Sequence, residues 1–526
     1  MLLQSFLETS AARLPHKTAL IVGDQRWSYA DIDRAANRVA HRLLDAGLER
    51  GDRVAILLDN GPEAVISIFG ALKAGAVFMV VNPSTKADKL RYILDNSRAS
   101  TLIIDETKRR AFAERLDGAA HLKRTVAVGT SGAEPPGGPP ILSWSSLSWS
   151  SLCAPRDGDG TPPRIATIPI DLAALIYTSG STGNPKGVML SHQNMVAAST
   201  SITTYLENVE DDVVIDVLPL AFDYGLYQVL MAFQYGGTVV LERSFTFPHH
   251  VMQRIVDEGV TGLPLVPTIS AILLSLDLSK YDLSRLRYVT NTAAALPTAH
   301  IQALRERLPH VRLYSMYGLT ECKRVAYLPP EQIDRRPGSV GVAMPFTEAF
   351  VIGDDGERAP PGVVGELVVR GPHVMLGYWE LPDETARRLR PGRLPREAHL
   401  YTGDLFKTDE EGYLYFVGRN DDIIKSRGEK VAPREVENVL YALEGVQDAA
   451  VIGVPDPVLG QAIKAFVSLK PGSDLGEQEV LRHCARHLED FMVPKLVELR
   501  AELPKNASGK IDKLALTAPA HEEETP

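Results

Sequence analysis

Residues 175–192 read LIYTSGSTGNPKGVMLSH, and the ten at 178–187, TSGSTGNPKG, hold three Gly, two Ser, two Thr, one Pro and one Lys. Such a stretch is too poor in apolar side chains to be core. Yet the apolar run ALIY leads straight into it, and NMVAAS, helical in pattern, follows. Backbone N–H groups freed by glycine, between a strand and a helix, make a cradle for an anion. Thr178, Ser179, Ser181 and Thr182 add hydroxyl donors around Gly180 and Gly183, and Lys186 adds a positive charge. That set suits a chain of phosphates. It is not a Walker A loop, because Pro185 stands five residues after Gly180 and Lys186 precedes Gly187 instead of following a glycine.

Outward from the loop, short apolar strands alternate with amphipathic helices. Residues 29–46 carry apolar positions at helical spacing; VAILL at 54–58, a helix from Pro62, VFMVV at 77–81, a helix around KLRYILDN and TLIID follow. The pattern resumes after the loop with VVIDVLPL, a helix near 227–235, TVVLE and LRYVT. This alternation predicts parallel α/β sheets with helical faces. After about Asp354 the texture turns to short strands and turns, and past Arg419 a smaller mixed α+β unit begins, with a helix at 433–443, a strand at 449–454 and a helix at 478–488. We therefore expect a large N-terminal domain of parallel βα subdomains plus a small β-rich subdomain over 1–418. A small mobile α+β C-terminal domain over 419–517 and an acidic tail at 518–526 complete the division. Residues 131–164, rich in Pro, Gly and Ser and holding the repeat SWSSL-SWSSL, read as a disordered insertion.

The chain has 526 residues, 44% hydrophobic and 23% charged, with a formal net charge of −10. That balance argues against a nucleic-acid surface. Three cysteines, Cys153, Cys322 and Cys484, lie far apart with no metal-ligand spacing, which fits a reducing cytoplasm rather than a disulfide framework. The N-terminus lacks a signal-peptide pattern. The run VISIFGALKAGAVFMVV at 65–81 approaches the length of a membrane span, but Lys73 and Gly75 divide it into a helix and a buried strand.

TSGSTGNPKGV resembles the phosphate-loop signature of the adenylate-forming superfamily of acyl-CoA synthetases, nonribosomal-peptide adenylation domains and luciferases. YGLTE at 317–321, GELVVRG at 365–371, YTGDL at 401–405, GRNDDIIKSRGEKVAPREVE at 418–437 and PKNASGKIDK at 504–513 follow in the superfamily's order. The resemblance implies an ATP-dependent acid–thiol ligase: a carboxylate attacks the α-phosphorus of ATP to form acyl-AMP and pyrophosphate, and a thiol then displaces AMP. The thiol would belong to CoA or to phosphopantetheine on a separate acyl or peptidyl carrier protein.

The resemblance assigns roles by position. Thr178 to Lys186 would hold the β- and γ-phosphates. Glu321 would ligate Mg²⁺, Thr320 would touch the α-phosphate, and Tyr317 with Gly318 would lie against adenine. Asp404 and Arg419 would meet the ribose. Lys510 would bridge carboxylate and α-phosphate during adenylation. Asp421 would be the hinge, and Lys425 to Gly428 would line the pantetheine tunnel.

For the acid, the segment LPLAFDYGLYQVL at 218–230 corresponds to the pocket entrance and has no histidine. Phe222–Asp223 resembles the Phe-Asp with which amino-acid adenylation domains take the substrate ammonium; Asp223 is alternatively the N-cap of the following helix. TAAALP at 292–297 replaces a Gly-rich segment of many relatives, so the methyl groups of Ala293 and Ala294 would narrow the pocket. Cys322, Lys323 and Arg324 follow Glu321, and the two cations either face solvent, the default reading, or meet a second substrate acid group or a carrier or CoA phosphate. Two alternatives stand beside the acyl-CoA synthetase: a stand-alone amino-acid adenylating enzyme that loads a carrier, and a non-catalytic nucleotide sensor.

Overall fold

The computed structural model describes all residues except 130–140, 144–159, 179–184, 396, 421, 427–428, 457–458, 506–509 and 518–526. The β/α alternation resolves into two largely parallel sheets. In one, Val77–Val80, Arg53–Leu57, Ala99–Asp105 and Arg124–Val128 run parallel, with Leu172–Thr178 joining beside Val77–Val80. In the other, Thr238–Leu241, Val213–Asp216, Gly262–Leu265, Tyr288–Asn291 and Arg312–Tyr317 form the parallel part. This second sheet continues through Ala326–Tyr327 into antiparallel strands, ending with Ala398–Thr408, Gly365–Arg370 and Glu348–Ile352. These are the expected β-rich subdomain.

The helices Pro62–Lys73 and Asp223–Tyr235 are buried along most of their length. A helix buried on all faces belongs between layers of a large core, which explains why the first looks membrane-like in sequence. Its end is marked by Gly75 at φ +73°, a left-handed turn that glycine adopts without a Cβ penalty, and the strand Val77–Val80 follows. Lys73, fully buried, is tolerated there because its ammonium pairs with Asp33 at 2.8 Å and Glu8 at 3.1 Å. Among the described residues no helix is long and apolar enough to cross a membrane.

The C-terminal unit is built on a long antiparallel pair, Val446–Asp456 with Gly460–Leu469, flanked by Leu496–Arg500 in parallel and by Ile424–Ser426. Helices Pro433–Ala442 and Glu477–His487 contribute Val436, Leu440, Val480 and Cys484 to its separate core. It touches the large unit where the Arg434 guanidinium lies 5.1 Å from the Phe416 ring and where Tyr441 meets His300.

The expected disordered insertion needs one correction. Ile141–Ser143 is a strand that pairs in parallel with Arg124–Val128 and closes one edge of the sheet. Its backbone pairs with the otherwise open edge of the neighbouring strand, a demand that local composition does not reveal. Most of the SWSSL repeat and the acidic tail lie outside the described residues.

Candidate active site

The Ser/Thr/Gly loop springs from the strand Leu172–Thr178, and the chain returns as a second strand, Lys186–Ser191, antiparallel to the first. Thr178 stands directly opposite Lys186. The loop is therefore a hairpin connection. The helix expected immediately after it, His192–Tyr205, begins one strand later and is capped by Ser191 and Asn194. Residues 179–184, including Ser179, Gly180, Ser181, Thr182 and Gly183, lie outside the described residues.

Lys186 Nζ pairs with Glu384 Oε2 at 2.9 Å and lies 5.7 Å from the Tyr378 ring. The Tyr378 hydroxyl donates to Glu321 Oε1 at 2.6 Å. Tyr378 reaches this point because the short strand Gly377–Tyr378 pairs with Lys186–Ser191. The base of the loop and the carboxylate of YGLTE are thus tied together by residues that sequence reading did not single out, Tyr378 and Glu384. The run LGYWELPDET at 376–385 was the available signal.

Tyr317 ends the strand Arg312–Tyr317, with its ring edge-on to Phe406 at 4.8 Å and its hydroxyl donating to Asp404 Oδ2 at 2.5 Å. Asp404 and Arg419 are direct cross-strand neighbours. Burial raises the Asp404 carboxyl to about 6, opposed by the Tyr317 hydrogen bond and the Arg419 charge. Gly318 follows Tyr317 at a point of very close approach: a Cβ there would lie 2.3 Å from the Lys323 carbonyl oxygen and 2.8 Å from Arg324 Cα. Thr320 and Glu321 are partly buried in the ensuing turn.

Lys510 belongs to the C-terminal unit. Burial lowers its ammonium from the ordinary value, Asp223 and Asp404 pull it back up, and Arg419 pushes it down. All but one of these groups belong to the large unit, and Arg419 sits at the junction. Lys510, Asp404, Arg419 and Asp223 therefore share one electrostatic neighbourhood, although the chain separates them by up to 287 positions (510 minus 223).

Around Asp223 two expectations are corrected. Asp223 is not an N-cap: Phe222 occupies that position, with no side-chain capping bond, and Asp223 is the first helical residue. Lys323 and Arg324 do not face solvent; they are 4% and 1% exposed. The turn after Glu321 folds inward because Gly318 lets the Lys323 and Arg324 backbone pass against it. Lys323 Nζ donates to the Asp223 carbonyl at 2.7 Å and stands 3.9 Å from its carboxylate. Its ammonium is lowered to about 7, chiefly by burial, with Asp223 opposing. Ala293 sits at φ +73° two residues past the end of the strand Tyr288–Asn291, a left-handed position in which a Gly-rich segment would be unstrained. Ala294 is partly buried beside it. Asp421 and Gly428 lie outside the described residues, and Lys425 falls in the strand Ile424–Ser426.

The model of the AMP-binding enzyme family matches residues 7–379, and that of the AMP-binding enzyme C-terminal domain matches 435–510. The chain belongs to the AMP-binding enzyme family. It is 34% identical to the long-chain-fatty-acid–CoA ligase of Bacillus subtilis, across 99% of this chain and 94% of that protein. It is 35% identical to a feruloyl-CoA synthase of an Amycolatopsis species, with 95% of each covered. The crystal structure of ATP-bound MatB from Rhodopseudomonas palustris superposes with a TM-score of 0.86 at 29% identity, covering 98% of both chains.

Proposed function

We infer that this chain is an AMP-forming acyl-CoA synthetase. It joins a carboxylic acid to ATP with release of pyrophosphate, then passes the acyl group to the thiol of CoA with release of AMP. In the first step a carboxylate oxygen forms a bond to the α-phosphorus and the bridging bond to the β-phosphate breaks. In the second, the sulfur attacks the acyl carbon, AMP leaves, and the thiol proton passes to solvent. The curated relatives are CoA ligases for a fatty and an aryl acid. This favours CoA over a carrier-bound phosphopantetheine and disfavours the carrier-loading alternative. A cytoplasmic location fits the buried, unpaired Cys322 and Cys484.

The residue roles follow the geometry. Thr178 and Lys186 flank the loop that would hold the β- and γ-phosphates, and Lys186 would exchange Glu384 for phosphate. Tyr317 and Gly318 form a wall for adenine, while Asp404 and Arg419 meet the ribose. Lys510 supplies positive charge where the pentavalent phosphorus becomes most negative. Among the described residues no group of three or more His, Cys, Asp or Glu forms a metal cage. Glu321 offers a hard oxygen donor beside the loop, which fits Mg²⁺ held by one carboxylate and the substrate phosphates. Its chemistry there would be neutralisation of the departing pyrophosphate. The lobe boundary lies at 418/419, with Asp421 as the hinge that lets Lys510 withdraw and the face near Lys425 and Gly428 approach for the thiol.

The observation that carries this reading is one cluster: the Tyr317 hydroxyl donates to Asp404, Arg419 stands opposite Asp404 across the strand pair, and Tyr378 links Glu321 to the Lys186 base of the loop. Pyrophosphate–ATP exchange over a panel of fatty, aryl and amino acids tests it, followed by CoA thioester formation. Exchange with fatty or aryl acids and subsequent CoA consumption is the expected result. Nucleotide binding without exchange for any acid would mark a sensor instead.

A further inference from the structure

Lys323 occupies a cage of a particular chemistry. On one side the Asp223 carbonyl accepts from its ammonium at 2.7 Å and the Asp223 carboxylate stands 3.9 Å away. On the other, the ring of Tyr227 lies 4.5 Å from Nζ and that of Tyr224 lies 5.6 Å away. A carboxylate, a carbonyl and two aromatic faces are what binds an organic ammonium out of water. The Lys323 backbone holds φ at +62°, a left-handed conformation unfavourable for a lysine. The fold accepts that strain to bring the side chain inward.

The cage adjoins the candidate active site, because the Lys323 backbone packs against Gly318 in the turn that carries Tyr317 and Glu321: a Cβ on Gly318 would lie 2.3 Å from the Lys323 carbonyl oxygen. A substrate carboxylate at Lys510 and an ammonium at Asp223 are the two ends of an amino acid. Here the second place is filled from within.

We propose that Lys323 is a built-in occupant of an ammonium site in the acyl-pocket wall: it closes the enzyme to amino acids and restricts it to acids with no amino group near the carboxylate. Emptying the site converts that specificity. This rests on the acid-activating reading above and names the substrate class it admits. Arg324, 5.3 Å from the Tyr224 ring, keeps the far side of the cage positive, so the space is set for one ammonium and not two.

The test is pyrophosphate–ATP exchange with acids paired to differ by an α-amino group: alanine with propionate, phenylalanine with hydrocinnamate, leucine with isocaproate. Wild type is expected to prefer the deamino member of each pair by at least about 100-fold in kcat/KM. Lys323→Ala, verified as folded by its melting curve and by ATP binding, is expected to shrink that preference at least about tenfold, and adding Asp223→Asn should abolish the gain. A folded Lys323→Ala with an unchanged preference overturns the proposal, as does a wild type that uses both members of a pair within about threefold. Should Lys323→Ala not fold, ethylammonium decides: restored folding supports an ammonium site and failure to restore it overturns one. The deamino acids with wild type report separately on the ligase reading, since their exchange does not require an empty cage.

Discussion

Asp404 carries two demands that pull in opposite directions. Burial lifts its carboxyl from the ordinary 3.8 to about 6, so the folded chain holds a proton that the unfolded chain has released. The stability that proton confers is present below about pH 4 and is lost as pH rises through about 6. In the proposed site, however, two ribose hydroxyls would need the ionised form as acceptor. The KM for ATP is therefore expected to rise as pH falls below about 6. Asp404→Asn should flatten that profile and weaken ATP binding by about 10–100-fold, the worth of hydrogen bonds to a charged group. A steady-state pH series on both proteins checks it; parallel profiles would remove Asp404 from the nucleotide site. At this scale the motif residues were legible because each lies in a short contiguous string, such as YGLTE or YTGDL. Tyr378 and Glu384 were not, because strand pairing between positions 377 and 189 brings them in. Burial of Lys323 and Arg324 was equally hidden, since two adjacent cations read as surface until the turn that folds them inward is seen.

The turn after the strand Arg312–Tyr317 shows how one element fixes several functional groups. Gly318 permits the Lys323 and Arg324 backbone to pass against it, while Tyr317 reaches Asp404, Lys323 reaches the Asp223 carbonyl and Arg324 lies by the Tyr224 ring. Gly318→Ala would force a Cβ to within 2.3 Å of a carbonyl oxygen. We expect it to destabilise the protein by about 1–3 kcal/mol and to raise the KM for ATP. Thermal denaturation alongside initial-rate kinetics reads both, and an unchanged KM would separate the turn from nucleotide binding. Regular elements were largely legible, because buried strands and amphipathic helices declare their periods: the helix expected from Pro62 is found as Pro62–Lys73. The strand Lys186–Ser191 was missed. Its few residues, KGVMLS, follow a loop signature that elsewhere precedes a helix, and only pairing with Leu172–Thr178 defines it. The pairing of Thr18–Val22 with Thr238–Leu241 was beyond sequence reading as well, being a contact across more than 200 positions.

At the scale of the molecule, the division into a large lobe and a small one was legible from the change of texture after Asp354 and again past Arg419. How the lobes meet was not, because the contacts of Arg434 with Phe416 and of Tyr441 with His300 are packing events between separate cores. Those contacts join the small lobe, which carries Lys510, to the large one, the arrangement that the proposed first half-reaction would use. A single charged group delivered by one lobe to a nucleotide held by the other, as proposed, would make the two half-reactions separable. The most direct measurement compares Lys510→Ala with wild type in each: pyrophosphate–ATP exchange with a productive acid, and CoA thioester formation from synthetic acyl-AMP. Exchange is expected to fall by at least about 100-fold, in line with loss of one charge aimed at a transition state, while thioester formation stays within a few-fold. Equal loss in both, or no loss in exchange, would contradict the role of Lys510 and with it the assembly of the active site across the two lobes.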